Sequence, residues 1–214
     1  MRIIDISQPV GVETAVWPGD QPFELAWTMR QDQGDSVNVA AIKLSVHTGT
    51  HTDGGFHVSA TGSRPAELQL AAYVGHVRVI DARGRAELDE RVVDDVDFER
   101  TRRILFRTRD VSNAREFPRT FLAPAPALAR KLVAAGVRLI GTDAPSMDDF
   151  ESKTLESHHI FADGGVATIE NLVLDHVEPG EYTLIALPLK LVEADSAPVR
   201  AVLVTGRLGD WETG

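Results

Sequence analysis

The segment His47-Thr48-Gly49-Thr50-His51-Thr52-Asp53-Gly54-Gly55-Phe56-His57 holds three of the chain's seven histidines and one carboxylate. His51 and Asp53 are two apart, so an extended backbone points both to one side. His47 precedes them by a Thr-Gly-Thr stretch that can turn the chain. His57 follows Gly54-Gly55, where a turn can bring it back over the same pocket. Imidazole and carboxylate donors without sulfur suit Zn²⁺, Mn²⁺ or Fe²⁺. A coordination position left open would carry water, whose pKa falls from about 15.7 to about 7 in the best-known zinc case. A group of buried, hydrogen-bonding histidines is the plainer reading of the same residues.

A second group lies far downstream, where His158-His159 precedes Glu170. One histidine and the glutamate would complete a shell able to hold two metals, with Asp53 between them. Spacing does not choose between His158 and His159, and Glu170 equally suits a solvated helix. Trp17, just before the Pro18-Gly19 turn, suits either the wall of a pocket for an aromatic substrate or a cap on the core. The chain has no G-x-S-x-G segment and no cysteine, so hydrolysis here would be metal-assisted rather than through an acyl-enzyme.

These residues need elements to hold them. Arg2 to Ile6 reads as a short strand, followed by a loop rich in proline and glycine. Phe23 to Met29 and Val37 to Val46 read as strands. In the second, Ile42, Leu44 and Val46 alternate with Lys43 and Ser45, a half-buried pattern that places His47 at its end. Pro65 to Tyr73 suits a short helix, His76 to Asp81 a strand, and the charged run from Glu87 to Arg102 a solvated connection or edge element. Arg103 to Thr108 is a strand. Ala125 to Ala135 is helical and leads through Gly136 into the strand VRLIGTD. YTLIALPLKLV and PVRAVLVTG are the last two strands. The sum is an α/β, strand-rich domain with few helices.

The composition fits a soluble globular chain, with 214 residues, 43% hydrophobic and 25% charged. A net charge of −10 without a basic stripe argues against nucleic acid and against an anionic membrane as partners. No apolar run approaches the ~18 residues of a membrane span. The N-terminal MRIIDISQPV lacks a signal-peptide core, so a cytoplasmic location is expected.

HTGTHTDGGFH resembles the HxGTHxDxPxH signature of the cyclase-like metal-dependent amidohydrolases. The likeness extends through DIS near the start, VWPGD, SVNVAAIKLSVHTGTH, GVRLIGTDAPSMD, SKTLESHH, YTLIALPLKL and SAPVRAVL, in the family's order. Within the family it points to the arylformamidase branch. The resemblance implies a compact β/α domain of the swivelling β/β/α type over residues 1–214, pairing into a homodimer or larger assembly. It implies a two-metal site, usually zinc, with manganese as the alternative. His47, His51 and Asp53 match ligands of the first segment, with Asp53 bridging. His158 and Glu170 match the downstream ligands, His57 the catalytic acid–base residue, and Trp17 a substrate-contacting tryptophan.

The activity this implies is hydrolysis of N-formyl-L-kynurenine to L-kynurenine and formate in tryptophan breakdown. One metal would polarise the formamide carbonyl and a second would supply hydroxide. His57 would carry a proton from water to the departing arylamine. An isatin-hydrolase-like opening of a cyclic amide, and a catalytically silent metal-binding protein, are the alternatives. One departure stands out: the family has Ala-Pro where this chain has Gly54-Gly55. The glycines lift the proline's restraint and admit positive φ, which bears on the placement of His57.

Overall fold

The computed structural model describes residues 1–205. Gly206, where the last expected strand would end, and the rest of the segment to Gly214 lie outside the described residues. The strands are β1 (Ile3–Asp5), β2 (Glu24–Met29), β3 (Val39–Lys43), β4 (His51–Asp53), β5 (Val74–Asp81), β6 (Arg103–Arg107), β7 (Leu139–Thr142), β8 (Ala167–Ile169), β9 (Gly180–Ile185), β10 (Ser196–Pro198) and β11 (Val202–Val204). The helices are α1 (Pro126–Ala134) and α2 (Glu156–Asp163).

A seven-stranded sheet in the order β1-β11-β9-β5-β6-β7-β8 organises the chain. Strands β5 to β8 run parallel, and β9, β11 and β1 extend the sheet antiparallel. All five residues of β6 are buried, as befits a strand covered on both faces. Ile104 and Phe106 pack into one apolar cluster with Leu128, Leu132, Ile140 and Phe161. Leu105, between them in sequence, packs into another with Tyr73, Val77, Leu139 and Leu184. The twofold period of the strand thus divides the core between the two faces of the sheet. Each fully buried Leu or Phe contributes about 1.5–3 kcal/mol. Helix α1 starts with Pro126 in its first turn, where a missing N–H costs nothing, and buries Leu128, Ala129 and Leu132.

Several local expectations change. Pro65 to Tyr73 forms two 3₁₀ turns, Pro65–Glu67 and Leu70–Ala72, rather than one helix. The charged run after Glu87 is not simply solvated: Leu88, Val92, Val93 and Val96 are buried against the sheet. Strand β3 is exposed along its whole length, Ile42 included, and pairs only with β2. Its regular pairing ends at Lys43, so His47 sits on a turn and not at a strand end. The segment PVRAVLVTG divides between β10 and β11, which join different sheets. Among the described residues no helix is long and apolar enough to cross a membrane.

Candidate active site

Strand β4 is short and buried, and it carries the first two donors. It pairs antiparallel with β10, setting Ser196 against Asp53 and Pro198 against His51. On its other side an isolated bridge joins His51 to Glu170, just past the end of β8. Backbone pairing therefore brings His51, Asp53 and Glu170 together from three parts of the chain.

Gly49 is required for this approach. Its φ is +70°, and a Cβ there would lie 2.6 Å from Val10 Cγ2. The turn it makes lets the carbonyl of Gly49 accept from His51 Nδ1 at 2.9 Å, which leaves His51 Nε2 facing inward. Helix α2 supplies the fourth donor. Its periodicity buries Ser157, His158 and Phe161 and leaves His159 exposed, so of the two adjacent histidines it is His158 that faces the cluster.

The five side chains converge. His51 Nε2 lies 3.2 Å from Glu170 Oε2, and His158 Nε2 lies 3.2 Å from Glu170 Oε1. Asp53 stands between two groups: Oδ1 is 3.3 Å from His47 Nδ1 and 3.7 Å from His51 Nε2, while Oδ2 is 3.8 Å from His158 Nε2. His51 Nε2 and both carboxylate oxygens of Asp53 are buried without a hydrogen-bond partner. Three orphaned polar atoms facing one another are costly unless something binds them. Nitrogen and oxygen donors in this arrangement fit divalent zinc or manganese.

Each imidazole in this set also meets an oxygen acceptor on its far side. His51 has Gly49 O. His158 Nδ1 has Asp148 Oδ2 at 2.6 Å, and His47 Nε2 has Asp195 Oδ2 at 2.9 Å. Such acceptors fix ring orientation and raise ligand basicity, the usual support around a metal-bound histidine. Burial alone would lower the His47 pKa, but Asp195 and Asp53 outweigh it and push it up to about 10. Burial works the same way on His158, and Asp148 and Glu170 push it up to about 10. Burial would raise Asp53, yet the close approach of His47 and the neighbouring imidazoles holds it well below the usual carboxylate range. A metal held by these groups would compete with protons for His47 and His158, so its affinity should depend on pH.

His57 lies on the 3₁₀ turn Gly55–His57, and its Nδ1 is 3.1 Å from Asp195 Oδ2. Asp195 thus holds both His47 and His57. His47, His57 and Asp195 form a further trio compact enough for a metal, alongside His47–His51–Asp53 and Asp53–His57–His158. The glycines before His57 do not use positive φ. Gly54 has φ −81°, and Gly55 is likewise outside the left-handed region. They matter through close approach instead: a Cβ on Gly54 would meet Ser63 O at 2.5 Å, and one on Gly55 would meet Ser63 N at 3.1 Å. The 61–64 segment rests directly on the turn, with Phe56 N–H donating to Ser63 O at 3.0 Å. An alanine at 54, as in the family pattern, would need that segment to move.

A cavity of about 460 Å³ opens onto His47, His51, His57, His158 and Glu170. It lies outside the carboxyl ends of β6, β7 and β8, where an open α/β sheet commonly binds its ligand. Trp17 lines it, edge-on to Phe117 at 5.1 Å between ring centroids and tilted against Phe150 at 5.1 Å. The bond from Ala15 N–H to Ala114 O, 2.8 Å, ties the two loops that bring Trp17 to Phe117. Trp17 is therefore on the pocket wall and not a cap on the core. Asp148, Asp195, Phe117 and Phe150 were not singled out in the sequence. Each reaches the site through tertiary contact, and only the acidic pair Asp148-Asp149 ahead of the histidines offered any local signal.

A buried imidazole–carboxylate cluster able to hold a metal lies beneath an aromatic cavity at the ends of a mixed sheet, a combination that suits a hydrolase. The family model described as "Putative cyclase" matches residues 4–149, and the chain belongs to that family. Among its relatives is a kynurenine formamidase of Bacillus cytotoxicus, 42% identical over 94% of this chain and 96% of that one. A second, from Salinibacter ruber, is 44% identical over 95% of this chain and 97% of its own. A solved structure described as a potential metal-dependent hydrolase with cyclase activity superposes with a TM-score of 0.82 at 26% identity, covering 94% of this chain and 96% of that one. Isatin hydrolase A from Labrenzia aggregata shares the fold with a TM-score of 0.80 at 24% identity, covering 96% of this chain and 94% of that one.

Proposed function

We propose that this chain is an arylformamidase that hydrolyses N-formyl-L-kynurenine to L-kynurenine and formate. The observation that carries the reading is the convergence of His47, His51, Asp53, His158 and Glu170, with orphaned atoms facing inward, at the floor of an aromatic-walled cavity. Identity above 40% to named kynurenine formamidases over nearly the whole length supports the substrate. These five residues would hold the metal, zinc in our reading and two ions per chain, with manganese the alternative. Bound there, a divalent ion supplies Lewis acidity for the formamide oxygen and lowers the pKa of water.

The chain's own groups do the rest. Trp17, Phe117 and Phe150 receive the aryl ring and exclude water from one side of the formamide. Asp195 accepts from His57 Nδ1–H and so directs His57 Nε2 toward the reacting groups. In that orientation His57 takes a proton from the attacking water and returns it to the aniline nitrogen as the C–N bond breaks. The proposal includes a homodimer of single-domain chains acting in the cytoplasm. The exposed apolar hairpin of β2 and β3, with Leu25, Trp27 and Ile42, supports pairing. The direct test is formate release from N-formyl-L-kynurenine, before and after exhaustive chelation and on return of Zn²⁺. Activity that survives in metal-free protein, or preference for isatin over the formamide, would sink the reading.

A further inference from the structure

Arg109 lies two residues past β6 and lines the same cavity as the histidine cluster. Its backbone is locked in place: the N–H groups of Thr108 and Arg109 both donate to the Asp143 carboxylate, at 2.9 and 3.0 Å to Oδ2. The Thr108 hydroxyl donates to the same carboxylate. Asp143 therefore spends its oxygens on the strand end and the following turn. The guanidinium is left over. Its Nη2 is buried without a hydrogen-bond partner, and it enters no ion pair among the described residues. Burial pulls its pKa down from the usual arginine value against the opposing charge of Asp143, which lies near but does not pair with the guanidinium; a guanidinium stays charged in any protein environment. A partly desolvated guanidinium on a cavity wall, carried by a fixed backbone and without an ion-pair partner, suits an anion. Lys153, the other cation lining the cavity, is exposed and flexible by comparison, a strongly hydrated point charge.

The proposed substrate has three chemical parts: a formamide, an aryl ring, and an amino-acid tail ending in a carboxylate. The imidazole–carboxylate cluster suits the first and the aromatic trio the second. We infer that Arg109 binds the third, taking the α-carboxylate of the substrate's amino-acid tail and so selecting aryl formamides that carry one. This inference rests on the proposed arylformamidase reading. A guanidinium–carboxylate pair is charge-assisted and commonly bidentate, which suits a planar fork held at a strand end.

The test compares N-formyl-L-kynurenine with N-(2-acetylphenyl)formamide, the same aryl formamide without the tail, on wild-type, Arg109→Gln and Arg109→Lys enzymes loaded with Zn²⁺. The expected result for Arg109→Gln is a KM for N-formyl-L-kynurenine raised about 10-fold or more, with kcat little changed. For the tail-less formamide kcat/KM should stay within about 2-fold of wild type. Arg109→Lys, which keeps the charge but loses the fork, should fall between. Equal losses on both substrates, or unchanged KM in both variants, would overturn the inference while leaving the arylformamidase reading standing. A wild-type enzyme that turns over neither formamide would overturn both.

Discussion

Asp148 offers the sharpest check on how the site is held. Its Oδ2 accepts from His158 Nδ1 at 2.6 Å and from the His158 backbone N–H at 2.9 Å, and its Oδ1 accepts from Ser157 N–H at 2.9 Å. One buried carboxylate thus orients the imidazole and satisfies two N–H groups in the first turn of α2, which has no side-chain cap of its own. In Asp148→Asn the shape is kept, but the amide NH₂ must face one of three donors. Loss of an outer acceptor on a ligand histidine costs about 10–100-fold in metal affinity, or about 1.4–2.8 kcal/mol. A buried donor left unsatisfied costs about 1–3 kcal/mol of stability. In a chain of this length that lowers Tm by roughly 2–12 °C. Competition with a chromophoric chelator measures the affinity, and thermal melting of metal-free protein measures the stability. Affinity within 2-fold of wild type together with an unchanged Tm would refute the claim that Asp148 positions His158.

Three further outcomes are expected. His57→Ala should lower kcat by about 10²–10⁴-fold with metal content nearly intact; loss of metal would instead make His57 a ligand, as its place beside His47 and Asp195 allows. Trp17→Ala should raise KM for N-formyl-L-kynurenine while metal binding stays unchanged, and unaltered kinetics would remove Trp17 from substrate contact. Burial raises the Tyr73 hydroxyl to about 12, against the opposing hydrogen bond to Thr52. Because its folded pKa lies above the unfolded value of about 10, its stabilising contribution is complete below pH 10 and is lost as pH rises toward 12. Ultraviolet titration of the two-tyrosine chain, against Tyr73→Phe, should assign the late ionisation to Tyr73; a normal phenol would contradict its burial.

Much of this protein is readable before folding because much of it is local. The period of two along HTD puts His51 and Asp53 on one side of a strand. The apolar run in RILFR marks a strand, and the lack of cysteine restricts any metal to nitrogen and oxygen donors. Local pattern could not choose between His158 and His159, because that needed the direction in which α2 presents its buried face. Nor could it show that Gly54 and Gly55 serve close packing against Ser63 rather than positive φ. Asp195 reaches His47 and His57 only because β10 pairs with β4 across most of the chain. Arg109, Phe117 and Phe150 join the cavity through loops at the ends of separate strands. Donor chemistry is a property of residue type and short spacing, and the chain alone determines it. Which donors meet, and which cation is left unpaired among them, depends on pairings between distant segments that only the folded sheet makes.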